Sequence, residues 1–388
     1  MNELDKVMLD INKKFKTEII RKGTDMIYVE KIPFNSPRAN YMTYGGVPKG
    51  KATEFFGPEG GGKTTSALQI VAQTQKSCLS VWNKQVSELS ARADELADKD
   101  TKSAANELKK LSLELATLTG NGPRKCAYVD AENTLDEEWA ILNGVDVDEL
   151  ILIRPENQTA EEVFQMILDL INTGLIELLV LDSIPVLVGQ NIYEEEMAKK
   201  EMGGISGPLT QFTKRAKESL TKYHTAFIGI NQVRDDFNNP FNQFHSPGGR
   251  AWKHFCSLRM FFRKGSFIDT DNNELKQSAA EPAGNMVDIT IVKTKVCKPN
   301  RRIGQYTLKY DSGADVLGDT VFMAIKFDFI VQSGSWFNIM DPSTGDILSD
   351  GENDLKFQGK PKLLEYLRQD DEIFGEILEA VNEKLQEE

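Results

Sequence analysis

Residues 57 to 65 read Gly-Pro-Glu-Gly-Gly-Gly-Lys-Thr-Thr, and no other run restricts the fold of this chain as tightly. They fit the phosphate-loop pattern G-x-x-x-x-G-K-[ST] from Gly57 through Pro58, Glu59, Gly60, Gly61 and Gly62 to Lys63 and Thr64. Glycines let successive backbone N–H groups converge on one concavity that holds an anion. Lys63 brings a point charge to the outer phosphates, and the Thr64 hydroxyl can ligate magnesium. The flanks agree. Ala52–Phe56 reads as a short strand, and Thr65–Gln75 carries Ala67, Leu68, Val71 and Ala72 on one side of a helix. The N-terminus of that helix faces the phosphates. A Gly-rich turn that binds nothing would have to meet four constrained positions in this context by chance.

Two more apolar runs end in acids. Ile176–Ser183 places Asp182 at a strand end, where phosphate-loop enzymes hold the magnesium shell. Alone, such an Asp reads as a cap or turn residue; with the loop upstream, the metal role is favoured. Lys125–Glu132 ends in Asp130 and Glu132, and a glutamate at a strand tip can orient water for attack on a terminal phosphate. Trp139 follows on a helix beginning near Leu135, where it either stacks on a base or packs half-buried. Strands this uniformly apolar suit a parallel sheet covered on both faces.

Composition sets limits. The chain has 388 residues, 40% hydrophobic and 27% charged, in the ordinary globular range. No apolar run is long enough to span a bilayer, and Met1–Lys6 does not read as a signal peptide, so no membrane role is expected. Four scattered cysteines without a C-x-x-C pair indicate neither zinc nor a disulfide framework, which suits a reducing cytoplasm. A net charge of −13 argues against indiscriminate coating of nucleic acid but leaves room for a local groove.

The order of motifs resembles the RecA-family recombinases, and specifically the bacterial RecA layout. The matching stretches are Gly57–Thr65, Asp130-Ala131-Glu132 with Leu135-Asp136, Gly144-Val145-Asp146, Leu179–Ser183, Ile230–Arg234, Ser246–Lys253, Val292–Lys295 and Ile330–Phe337. The phosphate loop is common to many NTPases; its combination with Asp-Ala-Glu, Asn-Gln-x-Arg and the Gly-Gly loop is far more specific. The resemblance implies an α/β, RecA-like phosphate-loop NTPase core with a mainly parallel central sheet flanked by helices. It also implies an N-terminal helical arm over 1–35, a core over 36–315 and a small α/β C-terminal domain over 316–388.

Roles follow by position. The resemblance implies ATP and Mg2+ as cofactors, with Gly57–Thr65 on the phosphates, Thr64 and Asp182 on the metal, and Glu132 as the catalytic glutamate. Asp136 and Trp139 fall on the adenine side. Gln232 matches the sensor of the terminal phosphate, and Lys293 and Lys295 the pair that reaches the neighbouring subunit's nucleotide; their alternate spacing also suits an exposed strand face. Two DNA loops are implied. The first includes Met202, Gly203 and Gly204; the second carries Arg234, Phe237, Phe241, Phe244, Gly248, Gly249, Arg250 and, just beyond, Lys253. Aromatic residues in an Asn- and Gly-rich segment make sense as stacking surfaces for bases, with a protein-binding lid as the alternative.

The chain departs from the family pattern in places. Residues 77–124 form an insertion whose Leu89, Leu96, Leu108, Leu111, Leu115 and Leu118 read as a helical hairpin, either merely solvated or a docking surface for a loader or another subunit. His254 stands where the family places an interface aromatic. This divergence would suit a bacteriophage enzyme working in host cytoplasm. At the N-terminus, Leu4, Val7, Met8, Ile11 and Phe15 form an apolar helical stripe that either packs on the next subunit or covers its own core. The reading reached is a DNA-dependent ATPase that forms a helical filament of identical subunits on single-stranded DNA. It would pair that strand with homologous double-stranded DNA, aided by single-strand-binding and mediator proteins. The alternative is a RecA-fold ring helicase or a DNA-independent regulatory ATPase.

Overall fold

The near-continuous apolar runs of the sequence lie side by side in one sheet. The structure, a computed structural model, describes residues 3–15, 20, 29–99, 101–190, 204–235, 244–341, 344–349, 351 and 353–387. The chain divides into two units, Met1–Glu30 and Lys31–Glu388. In the first, Glu3–Phe15 is a helix with Glu3 and Asp5 in its first turn and Lys13 and Lys14 in its last, charges that complement the helix dipole.

In the second unit, β1 (Lys31–Ile32) and β2 (Val47–Pro48) pair antiparallel. Then come β3 (Ala52–Gly57), β4 (Lys125–Asp130), β5 (Leu150–Ile153), β6 (Ile176–Asp182) and β7 (Ala226–Gln232). The backbones of β8 (Arg234–Asp235) and β9 (Phe244–His245) form a separate two-stranded ladder. The next strands are β10 (Leu258–Ile268), β11 (Glu274–Leu275), β12 (Gly284–Thr294), β13 (Ile303–Lys309) and β14 (Gly313–Ala314).

Across the main sheet the order is β14-β13-β12-β10-β3-β7-β6-β4-β5, with β11 on the flank of β10. From β10 to β5 every neighbour is parallel; from β10 to β14 every neighbour is antiparallel. β3 and β6 are buried along their whole length, which explains why neither alternates polar with apolar.

Parallel neighbours need crossovers, and these put helices on both faces. Helix Lys63–Ala97 covers one face through Ala67, Leu68 and Val71. Helices Ala160–Asn172, Ser206–Tyr223 and Gly249–Phe255 cover the other through Val163, Phe164, Leu209, Phe212 and Trp252. Ala160–Asn172 begins with a reciprocal cap between Thr159 and Glu162.

The phosphate-loop helix does not stop at Gln75. It runs unbroken for 35 residues to Ala97, turns, and returns as Lys102–Asn121. Nothing between Lys76 and Ala97 is Gly or Pro, so no residue there halts the helix. Beyond the core its less exposed apolar positions are Trp82, Val86, Leu89, Ala93 and Leu96, with Ala104, Leu108, Leu111, Leu115 and Leu118 on the return helix. Steps of three and four residues make the narrow seam of an antiparallel coiled coil. Trp82 Nε1 donates to Leu118 O at 3.0 Å near its base, and Arg92 pairs with Glu107 further out, fixing the register.

A third apolar cluster lies beyond the sheet. It joins helix Val316–Lys326, the antiparallel strands β15 (Ile330–Ser333), β16 (Trp336–Ile339) and β17 (Lys356–Gln358), and helices Lys360–Gln369 and Asp371–Glu387. Buried Asp319 of the first of these helices accepts from Ser36 and from Thr307 Oγ1 (3.1 Å) and lies 3.5 Å from Arg38, joining this unit to the main sheet. No helix among the described residues is long and apolar enough to cross a membrane.

Candidate nucleotide and DNA site

Four adjacent strands end at one edge of the sheet: Gly57 of β3, Gln232 of β7, Asp182 of β6 and Asp130 of β4. Gly57 stands in register with Gln232, and Asp182 with Asp130. In open α/β sheets, ligands bind at this carboxyl edge.

The loop between β3 and its helix keeps its shape because two glycines cannot be replaced cheaply. A Cβ on Gly57 would lie 2.0 Å from the Phe262 carbonyl oxygen. Gly62 has φ +86°, and its Cβ would come within 2.9 Å of Val287 Cγ2. Lys63 opens the helix, is buried, and its Nζ donates to the carbonyls of Gly57 (3.0 Å) and Pro58 (2.7 Å). Burial lowers its amine, while Asp182, Glu132 and Glu59 oppose that shift.

Thr64 Oγ1 donates to Asp182 Oδ2 at 2.7 Å. Tyr128, on β4, donates its hydroxyl to the same oxygen at 2.8 Å. Burial raises the Asp182 carboxyl, and these two hydrogen bonds pull it back. Burial also holds the Tyr128 phenol well above its usual range, so it stays protonated. A hydroxyl and a carboxylate are hard oxygen donors of the kind magnesium takes, and the first four N–H groups of the helix lack intrahelical partners. With Lys63 beside them, the residues present fit a magnesium–triphosphate group.

Glu132 lies two residues past β4. Its Oε1 accepts from the Ser183 hydroxyl and from Gln232 Nε2, the latter at 3.0 Å. Asp130 serves a different purpose: it is buried, accepts from the N–H groups of Thr134 and Leu135 at 3.1 Å, and pairs with Arg154, bracing the turn that carries Glu132. Asp136 accepts from Trp139 N at 2.7 Å as the cap of helix Glu137–Leu142. Half-buried Trp139 donates Nε1 to Thr65 Oγ1 at 3.2 Å, which sets its indole beside the phosphate-loop helix.

On the opposite flank, Glu54 in the middle of β3 is fully buried and pairs with Arg259 of β10. Arg259 also donates to Ser246 Oγ at 3.0 Å, and Asn231 Nδ2 donates to Glu54 Oε1 and to Pro247 O, each at 2.9 Å. Ser246 and Pro247 directly follow the β8–β9 segment. Beyond them Gly248 (φ +101°) and Gly249 lead into helix Gly249–Phe255, which carries exposed Arg250 and half-buried Lys253. Lys293 Nζ donates to the carbonyls of Lys253 and His254, and Lys295 Nζ to that of His254 at 3.0 Å. Burial, then neighbouring Lys295, lowers the Lys293 amine. Met202, Gly203, Phe237 and Phe241 lie outside the described residues; Arg234 and Phe244 are described in their backbone only, and Gly204 precedes helix Ser206–Tyr223.

Sequence reasoning passed over Tyr128, Ser183, Glu54 and Arg259. Tyr128 and Glu54 carried a signal, each being a polar-tipped residue in the interior of a strand. Arg259 lies 205 residues from its partner in the chain, and nothing local announces the pair.

A family model described as the RecA N-terminal domain matches residues 2–82 and 106–315. The gap it leaves falls within the coiled-coil hairpin. The chain is 32% identical to Protein RecA of Thermus aquaticus over 386 residues, covering 98% of this chain and 94% of that protein. It is 28% identical to Protein RecA of Aquifex aeolicus (98% and 92% covered) and 29% identical to that of Clostridium acetobutylicum (99% and 92%).

Proposed function

The chain belongs to the RecA family, and on that premise we propose that it is an ATP-dependent recombinase, a DNA-dependent ATPase that assembles on single-stranded DNA and exchanges strands with a homologous duplex. Likeness along nearly the whole length of proteins named RecA, the C-terminal unit included, counts against a ring helicase or a DNA-independent regulatory ATPase. The observation that carries the reading is the meeting of Lys63, Thr64, Asp182, Glu132 and Gln232 at one sheet edge, with Gln232 two residues before Arg234, at the base of the proposed DNA loop.

Magnesium bound with ATP would neutralise charge on the transferring phosphoryl group. Thr64 and Asp182 would hold it, and the loop N–H groups with Lys63 would hold the phosphates. Glu132, kept in place by Ser183 and Gln232, orients the attacking water. Gln232 is both a bond donor to Glu132 and the last residue of β7, so a change of partner from Glu132 to the terminal phosphate would be felt at Arg234. Lys293 and Lys295 support the carbonyl end of helix Gly249–Phe255, and in an assembly they would face the neighbouring subunit's nucleotide. Single-stranded DNA would bind through the aromatic loop, with Arg234, Arg250 and Lys253 on phosphates. We place the protein in the cytoplasm.

The test is ATP hydrolysis with and without single-stranded DNA, with electron microscopy of the same samples, on wild type, Lys63→Ala and Glu132→Ala. DNA-stimulated hydrolysis with helical filaments, and loss of hydrolysis in both variants, is expected. Closed rings, or hydrolysis indifferent to DNA, would overturn the reading.

A further inference from the structure

We infer that Tyr128 is a positioning residue for the metal-side carboxylate, an inference that rests on the proposed ATPase. β4 and β6 are parallel, with Tyr128 in register with Val180 and Asp130 with Asp182. Side chains alternate faces along a strand, so Tyr128 and Asp182 stand on the same face, one step of two residues apart. The ring of Tyr128 is 1% exposed and belongs to the cluster beneath the phosphate-loop helix, together with Ala67, Leu68 and Val71. Only its hydroxyl reaches the carboxyl edge, where it donates to Asp182 Oδ2 at 2.8 Å.

Asp182 thus has two donors from different elements, Thr64 on the helix and Tyr128 on the neighbouring strand, and both end on Oδ2. The two are not equivalent. Thr64 would itself hold the metal, so its bond to Asp182 would have to be shared with the metal once the site is loaded. Tyr128 is locked in the core and touches neither nucleotide nor metal in the proposed arrangement. It holds the carboxylate in the same orientation in the empty and the loaded site, and leaves Oδ1 outside both bonds. A phenylalanine would fill the same core space; the hydroxyl has no bond other than the one to Asp182 among those described. Partners that orient a metal-side carboxylate in this way tune metal affinity as well as activity.

The experiment compares full-length wild type, Tyr128→Phe and Tyr306→Phe. Tyr306 is also fully buried behind the phosphate loop, but its hydroxyl pairs with Ser66 Oγ at 2.8 Å and does not touch Asp182. Binding of a fluorescent ADP is titrated against magnesium chloride, with affinity in EDTA measured alongside and thermal unfolding recorded for each variant. Tyr128→Phe is expected to need about tenfold more magnesium for half-maximal tight binding, with its affinity in EDTA unchanged, while Tyr306→Phe follows wild type. An unchanged magnesium midpoint in Tyr128→Phe overturns the inference and leaves the ATPase reading standing. Equal shifts in both variants overturn it as well, since general loosening would then explain them. Wild type that gains nothing from magnesium overturns the ATPase reading and the inference with it.

Discussion

Gln232 Nε2 lies 3.0 Å from Glu132 Oε1, so the residue that ends β7 and the residue assigned to water activation are directly bonded. The pair spans the gap between the phosphate edge and the base of the proposed DNA loop. The Gln232 amide nitrogen carries two N–H donors, and Glu132 takes one of them, so a terminal phosphate would draw on the second or displace the first.

Gln232→Ala is therefore expected to bind ATP within a few-fold of wild type and to lose the nucleotide-dependent rise in affinity for single-stranded DNA. Fluorescence anisotropy of a labelled oligonucleotide, with ADP and with a slowly hydrolysed ATP analogue, reads this out. An ATP-enhanced affinity that survives in the variant would place the switch elsewhere.

The Glu54–Arg259 pair gives a stability prediction. Removing one partner of a buried ion pair leaves an uncompensated charge and typically costs about 3–5 kcal/mol. Arg259→Leu should fall in that range by urea unfolding, and Glu54→Leu combined with Arg259→Leu should recover part of the loss. A single variant as stable as wild type would show that the interior adapts to the lone charge.

Asp319 predicts a pH dependence. Burial raises its carboxyl to about 6, above the ordinary range, with Arg38, Ser36 and Thr307 opposing and Asp315 adding to the rise. The folded state then holds the proton more tightly than the unfolded chain. The stabilising contribution is complete only below about pH 3, declines as pH rises from there through about 6, and is absent above. Relative to Asp319→Asn, wild type should lose up to about 3 kcal/mol between about pH 3 and pH 7. A difference between the two proteins that stays flat across that window would show that Asp319 does not titrate there.

The register of the hairpin predicts where it can be cut. Trp82 meets Leu118 and Arg92 meets Glu107, so residues 85 and 115 stand opposite each other. Replacing residues 86–114 by a short Gly-rich turn should leave DNA-stimulated ATP hydrolysis within about twofold and the unfolding midpoint nearly unchanged, because the return helix packs chiefly on the outgoing one, so the segment removed packs on itself. Loss of hydrolysis in a folded variant would give the hairpin a part in the reaction.

The α/β class was legible because each ingredient is local: apolar runs without alternation for β3 and β6, a glycine-rich turn between strand and helix, and helical spacing in the crossovers. The order of Lys63, Asp130, Glu132, Asp182 and Gln232 could be read along the chain, with Glu132 assigned by resemblance, but the bracing part that Asp130 plays could not. Asp130 turns inward to brace Thr134 and Leu135 while Glu132 faces Ser183 and Gln232, and only the backbone path past β4 decides which does which. Glu54 with Arg259, and Tyr128 with Asp182, are tertiary pairs whose members are distant in sequence, and the pairing itself has no local signal. The continuity of the phosphate-loop helix into the hairpin was hidden for a different reason: an insertion is seen as a separate piece in sequence, whereas a helix without a breaker simply continues.

That continuity makes the hairpin a pointer. Past Gln75 the helix advances about 1.5 Å per residue, so the stretch from Lys76 to Ala97 carries its tip about 33 Å from the core. There is no joint along the way to absorb a tilt. A reorientation of the loop end by a few degrees, too small to notice among the phosphates, would sweep the tip through an ångström or more, so that a label at Lys99 would read the state of the nucleotide at a distance.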